Sequence, residues 1–336
     1  MSAETIEWLN ANSLIGFTDE RGKAWHHMEG VDNHFPGAIP YERVLELMSY
    51  PLAEGFPTVR VETVGKKGGV VTKNYPANGH KGIVRLDTGE VFKFFKDGYV
   101  IHQPREWCLQ KLDILTHGGL GLAAAILLRG GAIAAVQAEL EDTREAVEGV
   151  KHRPYITAAT SMDGSLATTY LVGTRLWVCD NTLTYALAEN SALRHKVYHS
   201  ANSLNRLGEV RDNLGLTVEE VGDTVDEEIK RLTSEYVSDE RWNDFTAAYT
   251  DLTPEKKGVA RTNAETKIKT LNTLWNDDER VAPWKNNAWG VLAAVNTAEH
   301  HIFGTDENRE ARNSLRTVQG KWDGIDQNTL RVLATV

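Results

Sequence analysis

Between Arg60 and Lys111 the sequence places ten Lys or Arg against five Asp or Glu, a local charge near +5 in a chain whose formal charge is −10. Tyr75, Phe92, Phe94, Phe95 and Tyr99 lie among those bases. Ammonium and guanidinium groups neutralise phosphates, and aromatic faces accept stacked bases. The mixture therefore suits a surface for single-stranded nucleic acid, held without base-specific readout. The phosphate candidates are Lys66, Lys67, Lys73, Lys81, Arg85, Lys93 and Lys96, with Tyr75 as the stacking candidate. A structural explanation competes: aromatics on strands commonly fill a core, and exposed lysines commonly protect strand edges.

Other chemistries find less support. His195 and His199 are four apart, the spacing that puts two metal ligands on one helix face, yet no Glu follows the first and no third ligand can be placed. His26-His27 and His300-His301 are adjacent pairs, whose side chains diverge on a helix or a strand. The glycines of "HGGLGLAAA" match neither a phosphate-binding loop nor a dinucleotide fingerprint, and no Gly-x-Ser-x-Gly elbow occurs. Cys179 has no thiol-nucleophile signature, and Asp163 before Gly164 is explained by a turn. No catalytic residue, cofactor or metal is expected; a hydrolase or metal-dependent nuclease would need a cluster that the sequence does not assemble. From Asp212 to Lys257 thirteen acids stand against five bases, near −8. The helix over 217–237 within it is the alternative surface, facing a host protein rather than DNA.

The elements that must position these residues follow from periodicity. "YERVLELM" after Pro40 has helical spacing at Val44, Leu45 and Met48. From 58 to 111 the pattern is a meander of short strands, broken at "KKGG", at Asp87-Thr88-Gly89 and at Asp97-Gly98. A helix over 105–116 would be anchored by Trp107, Leu109 and Leu112. The segment about Arg129-Gly130-Gly131 reads as a helix-turn-strand or as a hairpin, and the hairpin is preferred because Gly-Gly suits a primed turn and the flanks are short. Tyr155–Met162 and Ala167–Cys179 form a central hairpin about Asp163-Gly164, after which Asn181 caps a helix starting at Thr182. Beyond residue 200 the chain is helical. Capping boxes at Thr217/Glu220 and Thr262/Glu265 open two helices; "NAWGVLAAVNTAEHHIF" and "DQNTLRVLATV" supply two more. The fold class is α+β: a strand meander and central β-hairpin packed with helices, then a helical C-terminal half. Residues 1–200 form the strand-rich part and 201–336 the helical part, packed as one compact unit.

The start "MSAETIEWLN" lacks the basic and apolar regions of a signal peptide, and Arg129-Gly130-Gly131 interrupts the most apolar window. Two cysteines, Cys108 and Cys179, suggest no disulfide framework. A cytoplasmic protein without membrane contact is expected.

Several blocks resemble the phage/plasmid-like protein family, a family known as a domain of unknown function. They are the Asp163-Gly164-Ser165 turn, the Val178-Cys179-x-Asn181-Thr182-Leu183 segment, and Lys196 with His199 and Ser200. Trp25 and His26 match a Trp-His element, although His27 stands where the family has glycine; "NAWGVLAAVNTAEHH" resembles its C-terminal helix. The resemblance covers most of the chain. It implies a gene of phages, prophages or plasmids acting in the bacterial cytoplasm, alongside genes that handle entering or replicating DNA. The layout is also similar to that of phage single-strand annealing proteins, by analogy of fold alone. The expected function is single-stranded-DNA binding and strand annealing by a homo-oligomer. Arg194 and Lys196, beside the family blocks, would extend the binding surface.

Overall fold

The structure, a computed structural model, describes residues 5–21, 28–65, 68–115, 120–139, 143–176, 182–183, 194–204, 217–304 and 323–336. Thr5 caps α1 (Ile6–Ala11), its hydroxyl accepting from Trp8 N at 3.2 Å. Strand β1 (Ser13–Ile15), helix α2 (Thr18–Arg21) and helix α3 (Tyr41–Met48) follow. Pro40 precedes α3, whose Val44 and Met48 are buried one turn apart, as their spacing requires.

The next strands do not form one meander. β2 (Leu52–Gly55), β5 (His80–Arg85) and β6 (Glu90–Lys96) make a three-stranded antiparallel sheet. Between β2 and β5 the chain leaves that sheet as a separate hairpin, β3 (Thr58–Val64) with β4 (Val70–Pro76). Alternation identifies strands but does not choose their partners. The expected helix near residue 105 is present, opening as π-helical Arg105–Gln110 and continuing as α4 (Lys111–Leu115); Trp107, Leu109 and Leu112 are all buried.

The main antiparallel sheet runs β1-β7-β8-β10-β11. β7 (Gly121–Leu128) and β8 (Ile133–Glu139) meet at a turn in which Arg129, Gly130 and Gly131 all have positive φ, which explains the two glycines. β9 (Arg144–Val147) and β8 share one edge of β10 (Val150–Ser161), and β11 (Thr168–Leu176) takes the other, so the expected central hairpin is in place. The helix expected from Thr182 does not start there. Thr182–Leu183 is instead a short strand, β12, paired with Thr174 and Arg175, and β13 (Arg194–Val197) pairs further along the same edge at Thr168–Leu171. An open β11 edge has backbone groups to satisfy, and that outweighs a local capping signal. Cys179 and Asn181 lie outside the described residues, as do Trp25 and His26.

The helices are concentrated in the C-terminal half: α5 (Thr217–Ser234), α6 (Asp239–Tyr249), α7 (Gly258–Asp277), α8 (Ala288–Thr297, extended by a π-turn over Ala298–Ile302) and α9 (Asp323–Leu333). Helix α7 begins at Gly258, not at the expected box. Thr262 lies inside it with its hydroxyl donating to Gly258 O at 3.3 Å, while Glu265 pairs with Arg261. One hydrophobic cluster unites the two halves. Val225, Ile229 and Leu232 of α5 join Ile156, Ala158, Tyr170 and Val172 of the main sheet, and α8 and α9 add Trp289, Val291 and Leu333. A smaller cluster, Leu9 with Leu128, Ile133, Ala135 and Ala159, lies against α1. Among the described residues no helix is long and apolar enough to cross a membrane.

Candidate nucleic-acid interface

The β3–β4 hairpin is an arm. Its strands are seven residues each and every position in them is exposed, so it adds nothing to the core. An isolated two-stranded hairpin is marginal in water, and among the described residues no core packing accounts for this one. Its register puts Val59, Val61 and Thr63 opposite Tyr75, Lys73 and Val71 on one face. Arg60 pairs with Glu62 on the other face, at 2.6 Å. Tyr75 is 50% exposed, and among the described residues no carboxylate lies within ion-pair distance of Lys73. Lys66 and Lys67, between the two strands, lie outside the described residues.

The bases of β5 behave differently. Alternation puts Lys81, Ile83 and Arg85 on the inward face of the small sheet, and all three are buried. Lys81 Nζ is 2.6 Å from Glu54 Oε1. Arg85 grips both Asp87 oxygens at 2.8 and 2.9 Å, donates to Gly130 O at 2.8 Å and sits 4.6 Å over the Tyr50 ring. Hydrogen bonding from Arg85 holds the Asp87 carboxyl below its usual range. Charges so engaged are committed to the fold, so Lys81 and Arg85 drop out of the phosphate candidates.

Lys93 and Lys96 of β6 and Lys196 of β13 are exposed, and among the described residues none has a carboxylate within ion-pair distance. Arg194 takes the β13 position opposite Leu171, and Lys196 the one opposite Thr169. A column of stacked rings joins β6 to the end of β13. Phe95 stacks on Tyr99 (3.8 Å between centroids), Tyr99 on His199 (4.7 Å), His199 on His102 (4.0 Å) and His102 on Trp107 (3.7 Å). Lysines end the column, with Lys93 Nζ 5.7 Å from the Phe95 ring and Lys111 Nζ 4.1 Å from the Trp107 ring.

Hydrogen bonds fix the two imidazoles. Val100 O can only accept, so His199 donates from Nδ1 (2.9 Å), leaving Nε2 to accept from Thr160 Oγ1 at 3.3 Å. Thr160 Oγ1 is 2.8 Å from Thr168 Oγ1, which is 2.7 Å from His102 Nδ1. Burial is the main cause that pushes His102 down to about 2 and His199 to about 4; the neighbouring His199 and Lys111 lower His102 further. Both rings are neutral at pH 7, and their hydrogen bonds tie the Tyr99–His102 segment to the central hairpin. The sequence showed "HKVYHS" as a family block but gave no sign that its histidine would meet His102.

The remaining candidates are structural. His195 lies on β13 opposite Tyr170, with His199 just beyond the strand, so the two do not share a helix face. Asp163 accepts from Ser165 N at 2.8 Å and pairs with Arg129 at 2.8 Å, which joins the turns of the two main hairpins. Among the described residues no group of three His, Cys, Asp or Glu is placed to hold a metal. The acidic helix is engaged too. Arg144 binds Asp223 and Asp226, His152 Nε2 is 2.6 Å from Asp226 Oδ1, and Glu228 and Glu235 pair with Arg231.

A family model described as a domain of unknown function (DUF932) matches residues 91–331. No curated protein and no solved structure matches the chain.

Proposed function

The chain belongs to the DUF932 family, and we propose that it binds single-stranded DNA and, as a homo-oligomer, brings complementary strands together. The observation that carries this reading is the exposed arm with Lys73 and Tyr75, beside a strand with Lys93 and Lys96, all without a carboxylate partner among the described residues. The acids of this region are largely answered internally: Glu54 by Lys81, Glu62 by Arg60, Asp87 by Arg85 and Glu106 by Lys111. The bases left over face solvent, where a polyanion reaches them despite a net charge of −10. Annealing requires neutralised phosphates and bases held open for pairing, and no nucleotide hydrolysis. The resemblance to phage and plasmid proteins fits the same role, in handling incoming DNA in a bacterial cytoplasm.

The alternative, a host protein bound through residues 217–237, is less favoured. Among the described residues Asp223, Asp226, Glu228 and Glu235 already pair with arginines of this chain, which reduces the charge that helix can offer a partner.

Binding of the purified protein to labelled single-stranded and duplex DNA across a salt series tests the proposal. Six lysine contacts (Lys66, Lys67, Lys73, Lys93, Lys96 and Lys196) give a slope of log affinity against log salt of about −4 on single strands. Absence of binding at low salt would overturn it.

A further inference from the structure

The outer face of the β2–β5–β6 sheet carries an arrangement that the core does not require. With Lys81, Ile83 and Arg85 turned inward, His80, Gly82 and Val84 form the opposite row of β5. Their β6 partners are Lys96, Phe94 and, past a bulge at Phe92, Val91; their β2 neighbours are Gly55 and Ala53. Phe94 rests against Gly82. A Cβ there would stand 3.0 Å from Phe94 Cε1 and 3.2 Å from Cδ1, so any larger residue would lift the ring. Phe94 is nonetheless 55% exposed, and Val91 beside it 49%.

The charges on this face are all of one sign. Glu54 and Glu90 stand opposite Ile83 and Arg85, on the inward side, and Asp87 is held by Arg85. Lys96 and His80 lie across from each other on the outer side, and Asp97 is in the turn beyond the strand. An apolar protein surface would gain from Phe94 and Val91 but nothing from the cation. A chain of planar rings linked by phosphates uses both. The arm leaves from this same end of the sheet, after Gly55, and returns at His80.

We propose that Phe94, seated on Gly82 and flanked by Lys96 and His80, is a stacking platform for a base of single-stranded DNA, with Lys96 on the adjoining phosphate. The platform rests on the DNA-binding reading above and adds a residue that alternation alone would leave as an exposed strand aromatic.

The test compares the full-length protein with Phe94→Ala and Phe94→Trp, using a fluorescein-labelled oligothymidylate of about 16 nucleotides and an abasic oligomer of equal length. Phe94→Ala is expected to lose roughly ten- to hundredfold in affinity for the oligothymidylate, none for the abasic strand, and to melt at the wild-type temperature. Phe94→Trp should keep the affinity and show more indole quenching on binding than the wild type, whose nine tryptophans set the baseline. If the wild type binds oligothymidylate and Phe94→Ala binds it equally well, the platform is refuted while DNA binding stands. Equal losses on both oligomers would also refute it, since stacking needs a base. A change of oligomeric state with DNA affinity intact would assign the face to contacts between copies and overturn the proposal. If the wild type binds neither oligomer, the DNA-binding reading itself falls.

Discussion

His102 and His199 stack with 4.0 Å between centroids and 19° between their planes, although they are separated by nearly the whole main sheet in sequence. Each ring has a second stacking partner, Trp107 for His102 and Tyr99 for His199. The pair therefore joins the small sheet that carries the candidate interface to the central hairpin. Two cations could not be stacked at this distance in a buried site, and burial favours the neutral form of both rings.

A pH dependence follows. Burial depresses the folded pKa of His199 to about 4, while the unfolded chain protonates it near the ordinary value of 6.5. Stability contributed by neutral His199 is present in full above pH 6.5 and declines as pH falls toward 4, at up to about 1.4 kcal/mol per pH unit. His102, depressed to about 2, adds in the same direction over a wider window. Urea midpoints between pH 7.5 and 4.5 should fall more steeply for the wild type than for His199→Asn. That variant keeps a donor toward Val100 and cannot titrate; parallel curves would show that His199 does not contribute.

Arg129 has a positive φ of 53°, a conformation that costs a non-glycine residue energy, and its guanidinium meets Asp163 across the two hairpin turns. Asp163→Ala should destabilise the protein by about 2 kcal/mol, measured by chemical denaturation, with DNA affinity unchanged. A loss of binding at wild-type stability would instead give Asp163 a functional role.

Lysines of the same segment should separate by burial. Lys73→Glu combined with Tyr75→Ala is expected to weaken single-strand binding at least tenfold and leave the melting temperature in place, because neither side chain packs on the core. Unchanged affinity would remove the arm from the interface.

Arg85→Ala should do the reverse. It leaves Asp87 and Gly130 O without their donor and uncovers Tyr50, at a cost of about 3 kcal/mol. Denaturation is the readout, and a salt slope equal to that of the wild type would confirm that Arg85 makes no phosphate contact.

Local patterns in the sequence determined much of the architecture. Alternation and turn residues located the hairpins about Arg129-Gly130-Gly131 and Asp163-Gly164, 3.6-residue spacing located α3, and the capping box at Thr217/Glu220 located α5. These signals lie within a few residues of one another, where backbone sterics and one-sided burial act. Tertiary structure decided the rest. The sequence does not distinguish Lys81 from Lys93: both are lysines on neighbouring strands, and the register even turns both to the inward face, but Lys81 is buried against Glu54 while Lys93 at its place on β6 stays exposed. The same holds for Thr182, where the open edge of β11 outweighed a capping signal, and for the stacked histidines 97 positions apart. A strand's period fixes two faces, but which face is buried depends on elements that arrive from elsewhere in the chain.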